Sequence, residues 1–215
     1  MDRRKALKNM GMAMGYTIAT PTLLGIVQSC KQDNAIAWTP DYFTLDEGSA
    51  LTKLVDIILP KTDTPSASEM QVHVFIDKFA DQVMEKEQLD FLKMAMDKFM
   101  QKALKDSGKD NIGKLTSEDL EPVLASALKV SKEQQKSYNE AIGKYMEGIA
   151  AGTGGELSDD VALYTFASNL RDMTIWGYKT SEYVGEEVLE YLPVPGEYIA
   201  CGDLEELTGG KAWSI

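Results

Sequence analysis

From Leu51 to Trp176 apolar side chains recur at steps of three and four residues, in repeats separated by residues that stop helices. An α-helix with one buried stripe produces that period, whereas a half-buried strand would alternate apolar and polar positions. Leu51, Leu54, Val55, Ile58 and Leu59 form a first stripe, which Pro60 terminates because proline cannot donate the next helical hydrogen bond. A second stripe carries Val72, Ile76, Phe79, Ala80 and Val83. A third carries Leu92, Ala95, Met96, Phe99, Ala103 and Leu104, with Gly108 as its stop. Thr116 to Asp119 reads as a helix start leading to Leu120, Val123, Leu124 and Leu128. Ser131 and Gln134 have capping-box spacing and open a fifth helix through Tyr138, Ile142, Tyr145 and Ile149. Gly152 to Gly155 breaks the pattern. Ser158 to Val161 then starts a sixth helix through Leu163, Phe166, Ala167, Leu170 and Met173 into Trp176.

The expected fold is therefore all-α, about six helices packed as an orthogonal or irregular bundle. From about residue 177 the composition changes. Tyr178, Tyr183, Tyr191 and Tyr198 mix with Pro193, Pro195 and Gly196, which predicts a long, irregular, aromatic-rich C-terminal segment with at most one short helix near Glu186 to Tyr191. One helical domain over 45–215 follows, preceded by a tether over 31–44 in which Trp38 and Pro40 act as anchors.

Residues 1–30 have a different character. Arg3, Arg4, Leu7 and Lys8 resemble the twin-arginine export signal, although Asp2 and Ala6 depart from its usual residues. No charged residue lies from Asn9 to Cys30. The stretch closes on Ile26-Val27-Gln28-Ser29-Cys30, which resembles a lipoprotein cleavage site with Cys30 as the lipidated residue, while Gln28 fits the strict pattern poorly. The expectation is export by the twin-arginine translocase, which carries folded proteins, and a periplasmic location with membrane attachment through lipidated Cys30. An uncleaved N-terminal anchor helix is the alternative. Beyond Cys30 the chain carries 18 basic and 33 acidic residues, a net charge of −15. That balance excludes nucleic acid as the expected partner and makes attachment to anionic lipid covalent rather than electrostatic. Cys201 is the second of two cysteines. It is either paired with Cys30 or, if Cys30 is lipidated, the one remaining thiol.

A search for catalytic chemistry finds little. His73 is the single histidine and reads as a solvated or capping residue at a helix start, which rules out a histidine-rich metal site. No GxSxG, GxxxxGK[ST] or GxGxxG pattern occurs, so neither a nucleophile elbow nor a dinucleotide fingerprint is expected. Gly152 to Gly155 reads as a linker because it lacks the Lys of a phosphate loop. The carboxylate doublets, among them Glu118-Asp119, Asp159-Asp160 and Glu205-Glu206, stand mostly where helices start, as the helix dipole favours. The expected sites are therefore catalytic none, cofactor-binding none and metal none. Arg171, Trp176 and Tyr178, with Tyr198 and Trp213 further on, are residue types that anchor protein interfaces. They fit a partner interface and equally fit a role pinning the tail to the helical core.

Four stretches in order resemble the gluconate 2-dehydrogenase subunit 3 family. They are Leu51 to Ala67 with its Ile57-Ile58-Leu59-Pro60-Lys61-Thr62-Asp63-Thr64-Pro65 core, Val74 to Asp77, Thr174 to Glu182, and Tyr191 to Tyr198 followed by Cys201 and Lys211-Ala212-Trp213-Ser214. The resemblance spans about Trp38 to Ser214. It implies a non-catalytic accessory subunit of a periplasmic dehydrogenase acting on a sugar, sugar acid or polyol. The large subunit would contain FAD and belong to the glucose–methanol–choline type, and a cytochrome c subunit with haem c would accept electrons. The small subunit would aid export, folding and membrane attachment of the large one. Asp63 and Cys201 join Arg171, Trp176, Tyr178, Tyr198 and Trp213 as candidate interface residues. The acidic run Gly202-Asp203-Leu204-Glu205-Glu206 departs from the family pattern. A stand-alone carbohydrate-acting enzyme using its carboxylates, and a glycan-binding lipoprotein stacking sugars on its aromatic tail, are the alternative expectations.

Overall fold

Thr44 opens the first helix through a capping box. Its hydroxyl accepts from the Glu47 amide at 3.3 Å, and the Glu47 carboxylate accepts from the Thr44 amide at 3.0 Å. The computed structural model describes residues 38–192, 194, 196, 197, 199 and 201–214. Six helices make up most of it: α1 (Leu45–Ile58), α2 (Val72–Gln82), α3 (Lys86–Ser107), α4 (Ser117–Leu128), α5 (Lys132–Ala150) and α6 (Asp159–Lys179). A single 3₁₀ turn, Ile112–Lys114, precedes α4. The all-α expectation holds, with α1 starting six residues before its first apolar stripe position, at its capping box. The predicted stop at Gly108 adopts φ 69°, the left-handed conformation that glycine enters without a Cβ penalty.

The central element is α6, which packs against each of α1 to α5 and most extensively against α3. Its residues from Val161 to Ala167 are buried without interruption. A helix surrounded in this way has no solvent-facing stripe over those turns. Phe166 meets Phe99 of α3 with ring centroids 4.9 Å apart, and Leu51, Leu54, Met96, Met100 and Leu120 close the core around them. Two hydroxyls buried within α6, Thr165 and Thr174, donate to the carbonyls one turn back, Val161 and Leu170, at 2.7 Å each. Burying a threonine in a helix is tolerable when its hydroxyl finds such a partner.

The segment before α1 is tied down from a distance. Asp77, fully buried on α2, accepts the backbone N–H groups of Asp41, Tyr42 and Phe43 at 2.7, 3.1 and 3.0 Å. A second long-range tie joins α3 to α1, where the Lys93 ammonium pairs with the buried Glu47 carboxylate that also caps α1. Burial alone would raise the pKa of Glu47. The hydrogen bonds from Lys93 and Thr44 outweigh it and hold the group below the usual carboxylate range.

After α6 the chain makes a short π-helical turn, Val184–Val188, slightly before the expected short helix. A further helix, α7 (Leu204–Thr208), starts within the acidic run and extends beyond it, where the composition predicts irregular chain. Asp203 caps α7 by accepting the Glu205 and Glu206 amides at 3.0 and 3.2 Å. An isolated parallel bridge joins Glu190 to Trp213. The Glu190 amide donates to the Ala212 carbonyl and the Ser214 amide to the Glu190 carbonyl, both at 2.9 Å. The tail is thus a loop closed at its base. Among the described residues, no helix is long and apolar enough to cross a membrane.

Candidate partner-docking surface

The loop between α1 and α2 is the best-fixed irregular segment. Asp56 of α1 accepts both the amide and the hydroxyl of Ser68, at 2.7 and 2.6 Å. The Ala67 amide reaches the Leu59 carbonyl at 3.0 Å. From the last turns of α6, the Tyr178 hydroxyl contacts the Thr64 hydroxyl at 3.0 Å and donates to the Pro65 carbonyl at 2.8 Å. Next to it, Gly177 lies against α2 so closely that a Cβ there would stand 2.7 Å from Phe75 Cδ1 and 3.3 Å from Val72 Cγ1. Glycine at this position therefore sets the approach of α6 to α2. Loop, α2 and the end of α6 are three of the four stretches singled out in the sequence, and they form one connected face.

On this frame the candidate interface residues separate. Asp63 is exposed at the tip of the loop. Trp176 stands 48% exposed, edge-on to Phe75 at 5.0 Å and to Phe79 at 5.5 Å, so it is both packed and available. Tyr178 is half-buried with its hydroxyl directed into the fold. Arg171 places Nε and Nη2 on Asp172 Oδ1 at 3.0 and 2.8 Å. Cys201 is exposed and has no disulfide partner among the described residues, and Trp213, 47% exposed, lies at the bridge that closes the tail. Arg3, Arg4, Cys30 and Tyr198, together with the first part of the tether, lie outside the described residues.

His73 corrects the sequence reading. It is buried, not solvated, in the first turn of α2, and it meets Trp38 edge-on at a centroid distance of 5.2 Å. Neither His73 Nδ1 nor Trp38 Nε1 has a hydrogen-bond partner among the described residues. Burial pushes the imidazole pKa below its ordinary value, against the pull of the Asp56 and Asp77 carboxylates. Trp38 acts as the expected anchor, with His73 as its seat. The carboxylate doublets Asp46-Glu47, Glu118-Asp119, Asp159-Asp160 and Glu205-Glu206 each occupy the first turn of a helix, where they complement the dipole.

Two features went unread in the sequence. One is the row of exposed apolar side chains in the tail, including Tyr191, Leu192, Val194, Ile199 and Leu204, with Val194 78% exposed. The other is an open groove of about 620 Å³ between α2, α3, α5 and α6. Phe79, Val83, Met84, Leu92, Met146 and Met173 contribute its apolar lining. Glu85, Gln88, Asn169 and Asp172 stand among them as its polar members. No sequence signal marks it, because Leu92 and Met173 have the helical spacing of core residues.

A scan against protein-family models matches gluconate 2-dehydrogenase subunit 3 over residues 45–196. The match begins at the first residue of α1 and ends before Cys201 and Trp213, so it contains three of the four stretches completely and the fourth through Gly196. Searches of curated proteins and of solved structures find no match. The chain belongs to the gluconate 2-dehydrogenase subunit 3 family, and through that membership it is an accessory subunit of an oxidoreductase complex, associated with a larger dehydrogenase subunit.

Proposed function

We propose that this chain is a non-catalytic subunit that holds a large FAD-containing dehydrogenase of the glucose–methanol–choline type at the outer side of the membrane. The observation that carries the reading is the family match across the helical domain. The exposed tail residues support it, because they are the surface an accessory subunit would cover with its partner. In this reading FAD belongs to the large subunit, a cytochrome c subunit with haem c takes the electrons, and the substrate is a sugar, sugar acid or polyol.

The N-terminal segment gives the proposal its direction. Arg3 and Arg4 direct the chain to the twin-arginine translocase, and lipidated Cys30 then anchors it in the periplasm. A route that carries folded proteins suits the export of a partner already loaded with flavin. The test is fractionation of cells that lack this chain or carry Arg3→Lys with Arg4→Lys. The proposal expects the flavoprotein to remain in the cytoplasm in both. A flavoprotein that reaches the periplasm at normal level and activity without this chain would defeat it. Mass measurement of the mature N-terminus decides the anchor, since a lipidated chain begins at Cys30 with added acyl mass.

A further inference from the structure

The groove between α2, α3, α5 and α6 opens at the edge of the core, where Met84, Leu92 and Met173 pack inward on one side and line the trough on the other. Its floor is apolar and rich in methionine, with Met84, Met146 and Met173 from three different segments. Methionine side chains are unbranched and adapt to the shape of what they contact. One wall, α5, contributes no fully buried side chain, and it meets α3 through the Phe91–Tyr145 ring pair at 5.3 Å. Val83, 61% exposed, projects at the edge.

Charge selects the occupant. The groove residues include two carboxylates, Glu85 and Asp172, and two amides, Gln88 and Asn169, with no cation. Both Arg171 bonds to Asp172 go to Oδ1. The chain beyond Cys30 as a whole carries a net charge of −15. An apolar trough with an acidic rim on an acidic protein complements an apolar ridge flanked by cations. We propose that the groove docks one amphipathic helix of the large subunit, with apolar side chains at helical spacing on one face and Lys or Arg beside them. This inference rests on the accessory-subunit reading for the identity of the partner. The mode is helix-in-groove recognition, in which anchors at i, i+3 or i+4 and i+7 enter the trough.

The probe is a synthetic amphipathic helix of Leu and Lys, titrated into the full chain labelled at its methionine methyls. Its counterpart has every Lys replaced by Glu. The Lys peptide is expected to shift the Met84, Met146 and Met173 methyl signals and to leave the core residues Met96 and Met100 unmoved, while the Glu peptide shifts none. Val83→Lys, at an exposed position that the fold tolerates, and Met146→Lys are each expected to weaken binding at least about tenfold. Leu204→Lys, on the tail, leaves it unchanged. Equal shifts with both peptides, no shift with either, or groove signals that move with protein concentration alone, as a second copy in the groove would produce, each overturn the proposal. Co-expression with the large subunit separates the two readings. A complex that survives Val83→Lys and Met146→Lys refutes the groove and keeps the subunit reading. Groove-specific shifts with no flavoprotein complex in the unaltered chain keep the groove and refute the subunit reading.

Discussion

Removing the Asp77 carboxylate should detach the segment that leads into α1. Its oxygens receive three backbone amides, and the one from Phe43 is buried. Asp77→Ala leaves all three without their acceptor. The Phe43 amide has no route to water and costs about 2 kcal/mol, while the two half-buried amides recover water and cost about 0.5–1 kcal/mol each. The expected loss is about 3–4 kcal/mol, partly relieved because a buried charge also disappears. For a chain of this size that corresponds to a fall in Tm of roughly 6–16 °C. Asp77→Asn keeps one acceptor oxygen, so its loss should be about half as large. Urea unfolding followed by tryptophan fluorescence reads both variants, because Trp38 sits at the segment in question. A loss below about 1 kcal/mol for Asp77→Ala, or an Asn variant worse than the Ala variant, would refute the clamp.

Three further outcomes follow from the same packing. Gly177→Ala gains about 1 kcal/mol of helix propensity but forces its methyl into the Phe75 ring 2.7 Å away, so net destabilisation of about 1–2 kcal/mol is expected in thermal unfolding, with a changed Trp176 emission. Tyr178→Phe loses the contacts to Thr64 and Pro65, and faster amide exchange across residues 60–67 with a loss of about 1–2 kcal/mol is expected. His73 has its folded pKa below the unfolded value, so only the unfolded chain takes up a proton as pH falls from about 6.5, and stability drops through that window. A His73→Gln variant should flatten the pH dependence of urea unfolding as pH falls below about 6.5.

The helices were legible because their causes are local. Leu51, Leu54 and Val55, or Ala95, Met96 and Phe99, lie at helical spacing in the sequence and are buried in the structure. Thr44 with Glu47 also carried the signal for the true start of α1, and Asp203 with the acids after it carried that for α7, but both signals are short and lie outside an apolar stripe. What stayed hidden depends on partners distant in sequence. Asp77 clamps residues more than 30 positions away, and His73 is buried because Trp38 folds over it. An isolated polar residue on an apolar helix looks the same whether it faces water or a backbone amide. The groove was unreadable for a related reason. Leu92 and Met173 have the spacing of core residues, and only the tertiary placement of α5 decides that they line an open trough. The family stretches were read as a pattern, and the structure supplies their physics: the Tyr178 contacts and the close approach at Gly177 join the loop, α2 and α6.

The central claim is that this chain holds a larger flavoprotein. Its most direct test is affinity purification of the tagged chain after co-expression with the large subunit, followed by size-exclusion chromatography with flavin absorbance and light scattering. The account predicts one peak that contains both chains in fixed ratio and absorbs as bound flavin. A monomeric chain that elutes free of flavin, beside a large subunit that is stable, exported and active alone, would contradict it.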